Sequence, residues 1–160
     1  LVFWNRLNSK KPRPHIGVGF LQAYYQLIGV LPCFFRYEFV WEKWWLPKNF
    51  FADYGAYPST GNSWYGVSSV YGSMTTSGAT GYIPNLAPKY VNILPVDPLG
   101  GIGLLGLPCD YLYKSDGVHY KLLSHCAAEG VMLVNDSFYD SACATWAWKV
   151  TDDPVTTAAW

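Results

Sequence analysis

The sequence predicts an α+β fold, in which a helix and a small antiparallel β-sheet form one core. Apolar residues recur at mixed helical spacing from about Arg36 to Leu46, which predicts an amphipathic helix. Further along, two β-prone segments flank Asp116-Gly117, and this dipeptide is a strong signal for a β-hairpin. At 160 residues the chain has the size of one ordinary domain.

Charge is balanced overall but not along the chain. Eleven basic and eleven acidic residues give a net charge of zero, so nothing directs the protein to nucleic acid. Residues 1–50 contain seven basic and two acidic residues, a balance of +5, which leaves −5 for residues 51–160. The chain therefore divides into two parts with different surroundings.

Residues 16–35 contain no charged side chain and have about the length of a bilayer span. Gln22, Gln26 and Pro32 interrupt this apolar run. A basic segment precedes it, as in an export signal, but no A-x-A-type cleavage site follows. Two interpretations stay open: a membrane or hydrophobic-assembly helix, or a buried helix of a globular protein.

The next segments predict a helix end and a long loop. Pro47 is expected to end or kink the helix that precedes it. Residues 52–81 are rich in Gly, Ser and Thr, which favours turns and exposed loop, with a short strand from about Tyr65 to Tyr71. Loops of this length are usually functional or cover another element.

Aromatic side chains are in excess. Aromatic residues make up 18% of the chain and charged residues only 14%. Such an excess favours a subunit interface or a face that binds sugars or peptides. The candidate binding residues lie in or next to the low-charge loop: Trp64, Tyr65, Tyr71 and Tyr82.

Prolines and glycines shape the middle of the chain. Four prolines in residues 82–98 exclude a long helix but allow a single turn from Leu86 to Tyr90. Residues 99–108 then predict a glycine-rich apolar loop. It is not a phosphate-binding loop, because no strand precedes it and no Lys-Ser/Thr pair follows.

The hairpin places two cysteines near each other. If its loop runs from Asp116 to His119, Ser115 faces Tyr120 and Cys109 falls opposite Cys126; a tighter Asp-Gly turn would shift this register by two. Because the cysteine spacings do not fit a zinc site, we favour disulfides in an exported protein over the alternative of four separate buried thiols in a cytosolic protein. The hairpin register favours the Cys109–Cys126 bond. Cys33 and Cys143 then remain either paired or free.

The last third of the chain predicts two more strands. Val131–Val134 is a short apolar run, and Ala144–Val150 alternates as an outer or final strand does. Trp160 is expected to pack back on the sheet.

The sequence gives no indication of an enzyme. His15, His119 and His125 are too scattered for a metal triad, and His119 is expected to be solvated in the hairpin turn. Ser124 and His125 lack the G-x-S-x-G context of a hydrolase.

Four motifs occur in a characteristic order: FFADYGAYPST at residues 50–60, YIPNLAPKYVNILPVDP at 82–98, YLYKSDGVHYKLLSHC at 111–126, and TWAW with AAW at the end. In this order they resemble the type IV pilin superfamily, most closely pilin-like proteins related to the major pseudopilin of type II secretion. The resemblance covers about residues 50–160. Asn5 stands where the family has Glu, and residues 1–49 do not match its assembly helix.

The resemblance implies a pilin-like, disulfide-stapled subunit of an extracellular, bacterial cell-surface filament. Its N-terminal helix would pack on the sheet and against other copies of the chain, with membrane contact before assembly. On this interpretation residues 1–49 form the assembly segment and residues 50–160 the globular domain. The alternatives are a pseudopilin of a type II secretion system and a surface module that binds glycans.

Some secretion pseudopilins also bind calcium in a loop rich in aspartate. The corresponding segment here, residues 135–140, offers the carboxylates of Asp136 and Asp140. Calcium needs about six to eight oxygen ligands. We therefore expect a solvated polar turn without a cofactor, and calcium as the less favoured alternative.

Overall fold

A computed structural model describes residues 46–97, 106, 108–125, 134–135 and 138–160. These residues all belong to one compact unit, Pro32–Trp160. They form an α-helix and a four-stranded antiparallel sheet, which confirms the predicted α+β fold. The apolar run at residues 16–35, most of the predicted Arg36–Leu46 helix and the proposed domain boundary at residue 49 stay predictions, since residues 1–45 lie outside the described part.

Helix α1 (Leu46–Tyr54) contains Pro47 as its second described residue. The predicted helix that precedes Pro47 lies outside the described residues, so the expectation that Pro47 ends or kinks it stays a prediction. Helix α1 ends at Gly55, which has a φ of +71° and donates its N–H to the carbonyl of Phe51 at 2.7 Å. This arrangement is a left-handed cap.

The sheet has the order β1-β2-β4-β3, and its neighbouring strands are antiparallel. The last strand in the chain therefore lies inside the sheet. Of the two predicted alternatives, a final strand is confirmed and an outer strand is wrong. The last strand pairs along most of its length with the hairpin, which leaves the shortest strand at the edge. The strands are β1 (Tyr111–Ser115), β2 (Tyr120–His125), β3 (Tyr139–Asp140) and β4 (Ala144–Thr151).

The β1–β2 hairpin has the predicted register. Ser115 pairs with Tyr120, so the loop runs from Asp116 to His119. The carboxylate of Asp116 accepts hydrogen bonds from the N–H groups of Val118 and His119 at 2.8 and 2.7 Å. These bonds stabilise the four-residue loop rather than the tighter Asp-Gly turn that the sequence also allowed.

The outer edge of β1 is covered by residues 57–65, which we call the edge segment. It contributes backbone bonds along the hairpin rather than a regular strand. The predicted strand at Tyr65–Tyr71 is thus reduced to one β-bridge at Tyr65, and Ser69–Tyr71 forms a 3₁₀ turn instead. The edge bonds are Tyr57 N–H to Gly117 O (2.8 Å), Thr60 N–H to Ser115 O (3.0 Å) and Tyr65 N–H to Tyr113 O (2.8 Å).

Two apolar clusters cover the two faces of the sheet. Adjacent residues of a strand point to opposite faces, so Tyr111 and Tyr113 enter one cluster and Leu112 the other. The first core combines α1, the proline-rich segment and the hairpin; its members include Leu46, Tyr82, Ile83, Leu86, Tyr111, Tyr113, Tyr120, Leu122 and Val150. The second core contains Leu112, Leu123, Cys143 and Ala147, with Trp64 and Tyr71 packed against it.

The proline-rich segment adopts the single turn that its sequence allows. The N–H of Tyr90 donates to the carbonyl of Leu86 at 2.9 Å, one helical turn along the chain. The hydroxyl of Tyr82 donates to the carbonyl of Pro95 at 3.0 Å, which closes the segment on itself. Most of the predicted glycine loop and of the predicted Val131–Val134 strand lies outside the described residues; Val134 itself lies in a turn.

Candidate functional site

The four predicted binding aromatics do not form one surface. Tyr82 is buried in the first core with only 1% of its surface exposed, and Tyr65 packs against the same core. Trp64 and Tyr71 pack against the second core on the other face of the sheet. The structure therefore brings Trp64 and Tyr71 together and separates them from Tyr65 and Tyr82.

The described cysteines are thiols. Cys109 is half-buried and Cys143 is buried, and neither forms a disulfide within the described part of the chain. Their predicted partners, Cys126 and Cys33, lie outside the described residues, so both pairings stay predictions. Burial, followed by the neighbouring carboxyl of Asp140, raises the pKa of the Cys143 thiol to about 12.

Asp140 is not a solvated turn residue. It lies in β3 and is fully buried, with Lys121 Nζ at 2.7 Å from its Oδ2 and Lys149 Nζ at 3.8 Å from its Oδ1. The interpretation of residues 135–140 as a solvated polar turn is therefore wrong at Asp140. The contact between Lys121 Nζ and Asp140 Oδ2 is a close ion pair, but its geometry is not that of a hydrogen bond.

The surroundings of Asp140 do not support a calcium site. An ammonium group already neutralises Asp140, and a cation would have to displace it. No three His, Cys, Asp or Glu side chains in the described segments are arranged to hold a metal ion. Asp136, the second candidate ligand, lies outside these segments.

Lys121 also binds the segment that follows β4. Its Nζ donates to the main-chain oxygens of Trp160 at 2.9 Å and Thr157 at 3.3 Å. The prediction that Trp160 packs back on the sheet is thus confirmed. One buried lysine of β2 therefore joins β3 to residues 157–160.

Trp64, Lys114 and Trp160 form what we call the indole–lysine cluster. The Nζ of Lys114 lies 5.6 Å from the ring centre of Trp64 and 5.1 Å from that of Trp160. All three side chains are half-buried. Desolvation, and then the nearby charge of Lys121, lowers the pKa of Lys114. Both indoles are within the range of a cation–π interaction.

A second lysine fastens the end of α1 to the proline-rich segment. Lys89 donates to the carboxylate of Asp53 at 2.6 Å, and Tyr90 donates to the same oxygen at 2.6 Å. The Lys89 ammonium also lies 4.7 Å from the ring centre of Tyr54. The hydrogen bond from Lys89 is the main cause that lowers the pKa of Asp53. Because this group of side chains is exposed, its contribution to stability is small.

The hairpin turn is anchored by a histidine. His119 Nδ1 lies 2.9 Å from Oδ2 of Asp152, whose other oxygen accepts the N–H of Tyr120 at 2.7 Å. The hydrogen bond to Asp152 is the main cause that raises the pKa of His119. His119 lies in the turn as predicted and its side chain is 27% exposed, but it also contacts Asp152, a partner that the sequence did not predict.

The sequence contained only a faint signal for these contacts. Lys121 interrupts an otherwise apolar run between Tyr120 and Leu123, and a lysine at such a position requires a partner when it is buried. Nothing in the sequence pointed to Asp140 or Asp152 as the partners, because both come from distant positions that only the folded sheet brings close.

Comparisons with known proteins place no constraint on this site. No family model, no curated protein and no solved structure matches the chain. Within the described residues, no helix has the length and apolar character needed to cross a membrane.

Proposed function

We propose that the chain is a structural subunit of an extracellular type IV pilus-like filament, with residues 50–160 on the filament surface. The observation that carries the proposal is the composition of the first core. It contains Leu46 of α1, Tyr82 and Leu86 of the proline-rich segment, and Tyr113 and Tyr120 of the hairpin. Two of the four motifs, residues 82–98 and 111–126, therefore fold around one core, and Phe50 and Tyr57 of the first motif pack against it.

The proposal assigns assembly to residues 1–49. Their apolar stretch would be buried among copies, because burial of apolar surface is the main favourable term in association. Head-to-tail contacts that do not close into a ring give an open helical polymer. Contact with the bacterial inner membrane before assembly, and location at the cell surface afterwards, are parts of the same proposal.

Exposed apolar side chains on α1 support self-association. Phe51 is 40% exposed and Tyr54 is 58% exposed, both near the end of the helix. Exposed apolar surface next to an assembly segment is a natural contact between subunits. Phe51→Gln should therefore shorten the filaments, whereas Val70→Gln, at an exposed position in the long loop, should leave their length unchanged.

The register of the hairpin supports a disulfide at its base. Tyr111 pairs with Ser124, and the N–H of His125 donates to the carbonyl of Asp110 at 2.9 Å. If the pairing continues by one residue, Cys109 stands opposite Cys126 in a non-hydrogen-bonded pair, where side chains come closest. Peptide mapping without reduction tests this bond, and free thiols at both positions in protein from its native source would contradict it.

The decisive experiment examines the purified full-length chain. We expect a sedimenting polymer and regular fibres by electron microscopy, with circular dichroism to show that the protein is folded. Folded monomers only, over several salt concentrations and pH values, would contradict the filament proposal.

A pseudopilin of a type II secretion system is the alternative within the same fold. The two functions differ in the lifetime and length of the polymer. Loss of protein secretion after deletion of this chain, without loss of long surface fibres, would favour the pseudopilin. The glycan-binding alternative has a separate structural basis in the indole–lysine cluster.

A further inference from the structure

The ammonium of Lys114 lies 5.6 and 5.1 Å from the centres of two indole rings and has no anionic partner among the described residues. Among the described residues its contacts are the rings of Trp64 and Trp160, and no hydrogen-bond acceptor or carboxylate lies in contact with it. An ammonium group has three N–H donors. Because the group is partly exposed, these donors are open to water or to a ligand.

Two further lysines on the same face of the sheet add positive charge near Lys114. Lys114 pairs across the hairpin with Lys121, and Lys149 lies on the same face of the sheet. Among the described side-chain carboxylates, Asp140 contacts Lys121 and Lys149, and none contacts Lys114. The three lysines and Asp140 together carry a side-chain charge of +2 within the described part of the sheet. A positive site of this kind attracts an anion.

Three separate parts of the chain build the cluster. Trp64 comes from the edge segment, Lys114 from β1, and Trp160 from the segment after β4. The Lys121 bond to the main-chain oxygen of Trp160 holds the last of these in place. The site is therefore formed before a ligand arrives, which reduces the entropic cost of binding.

We propose that the indole–lysine cluster binds a saccharide that carries a carboxylate, such as a uronic acid unit. The carboxylate would accept hydrogen bonds from Lys114, and the apolar C–H groups of the sugar ring would contact the indoles. The paired indoles favour a sugar over a bare inorganic anion. The zero net charge of the chain argues against a polyanionic nucleic acid.

This inference does not depend on filament assembly, because all three residues belong to one copy of the chain. A negative binding result therefore leaves the filament proposal unaffected, and monomeric protein leaves the binding proposal unaffected.

The test titrates the full-length chain with a galacturonic acid trisaccharide and, as the matched neutral probe, a galactose trisaccharide. Calorimetry measures affinity, and intrinsic tryptophan fluorescence reports contact with the indoles. We expect binding of the acidic probe only. Lys114→Gln should weaken it by at least about tenfold, because a charge-assisted hydrogen bond is lost. Trp64→Leu should weaken it as well.

Lys48→Gln, at an exposed lysine of α1, is the control and should bind like the unaltered protein. Circular dichroism confirms that each variant is folded. Equal binding of both trisaccharides, no binding at millimolar concentration, or unchanged affinity in Lys114→Gln would each overturn the proposal. So would sulfate binding as tightly as the acidic sugar, because the site would then recognise charge alone.

Discussion

The ammonium of Lys121 and the carboxylate of Asp140 lie 2.7 Å apart, and neither side chain is exposed to solvent. Removing two such charges from water costs several kcal/mol per ion. The buried pair is therefore stable only if interactions inside the protein offset this desolvation cost. The oxygens of Thr157 and Trp160 supply that compensation by accepting the remaining lysine protons. The pair therefore determines how β2, β3 and the segment after β4 are joined.

Breaking this pair should be strongly destabilising. Lys121→Met leaves the buried carboxylate of Asp140 with the more distant Lys149, at 3.8 Å, as its remaining cation among the described residues. We expect a loss of about 3–5 kcal/mol in the free energy of unfolding, measured by urea denaturation. The double variant Lys121→Met/Asp140→Leu should recover much of this loss, because it leaves no buried charge unpaired.

The exposed pair of Lys89 and Asp53 provides the matched control. Its ions are also close, at 2.6 Å, but both side chains are about half exposed. Lys89→Met should therefore change the stability far less than Lys121→Met does. Equal losses at the two sites would contradict the argument from burial.

The stability of the hairpin turn should depend on pH through His119. Its folded-state pKa is raised above the usual 6.5, chiefly by the hydrogen bond to Asp152. The stabilisation is therefore fully present below about pH 6.5 and is lost as the pH rises through the folded-state pKa. His119→Gln should be less stable than the unaltered protein at pH 5.5, and the difference should shrink towards pH 8.5.

Two other carboxyl groups near His119, those of Asp116 and Asp153, have lowered pKa values and so titrate below that window. Burial raises the pKa of Asp116, but the N–H groups of His119 and Val118 outweigh it and lower the pKa overall. The hydroxyl of Thr156 lowers the pKa of Asp153. Urea midpoints for both proteins between pH 5 and 9 give the measurement. A difference that grows with pH would contradict the sign of this linkage.

The hairpin could be predicted from sequence because its determinants are local. Asp116 forms its turn with residues two and three positions away, so the signal is contained in a few consecutive letters. The strand order could not be predicted, because the position of β4 inside the sheet depends on pairing between distant residues.

The candidate site was harder to predict for the same reason. Trp64 was predicted as a binding residue because it is an aromatic residue in a low-charge loop. Its neighbours in the fold, Lys114 and Trp160, come from other regions of the sequence. Tyr82 was predicted as a binding residue for the same reason, but its side chain is buried in the core. Aromatic content therefore indicated that packing or binding surfaces exist, without separating core residues from surface residues.

The two described cysteines should differ in reactivity. Cys143 is buried and its thiol pKa is raised to about 12, so very little thiolate forms at pH 8. Cys109 is partly exposed. Brief alkylation of the folded, reduced protein should label Cys109 and spare Cys143, and urea should make both reactive. Mass spectrometry of the digested peptides measures how far each cysteine is alkylated. Fast labelling of Cys143 in the folded state would show that it is accessible.

Gly66 should not tolerate a side chain. A Cβ at this position would lie 2.7 Å from an oxygen of Asp110 and 2.7 Å from a methyl of Leu112. Gly66→Ala is expected to cost about 1–3 kcal/mol through overcrowding. Gly61→Ala is the control, since its Cβ would meet open space and only the positive φ opposes it. Thermal unfolding should show the larger loss for Gly66→Ala.

The edge segment should protect β1 from pairing with other chains. The Thr60 hydroxyl donates to the carbonyl of Ser63 at 2.6 Å and accepts the N–H of Ser115 at 3.0 Å, so it fastens the segment to the hairpin. Thr60→Val removes these bonds and leaves the buried N–H of Ser115 without this acceptor, at a cost of about 1–3 kcal/mol. An uncovered strand edge is a template for aggregation.

We therefore expect Thr60→Val to form amorphous or thioflavin-positive aggregates on mild heating, at a temperature where the unaltered protein stays dispersed. Light scattering follows the aggregation, and hydrogen exchange at the N–H of Ser115 reports the opening of the edge. Ser59→Ala is the neighbouring control, because its hydroxyl accepts only the exposed N–H of Gly61. If Thr60→Val exchanges faster at Ser115 but never aggregates, β1 does not need the edge segment for protection.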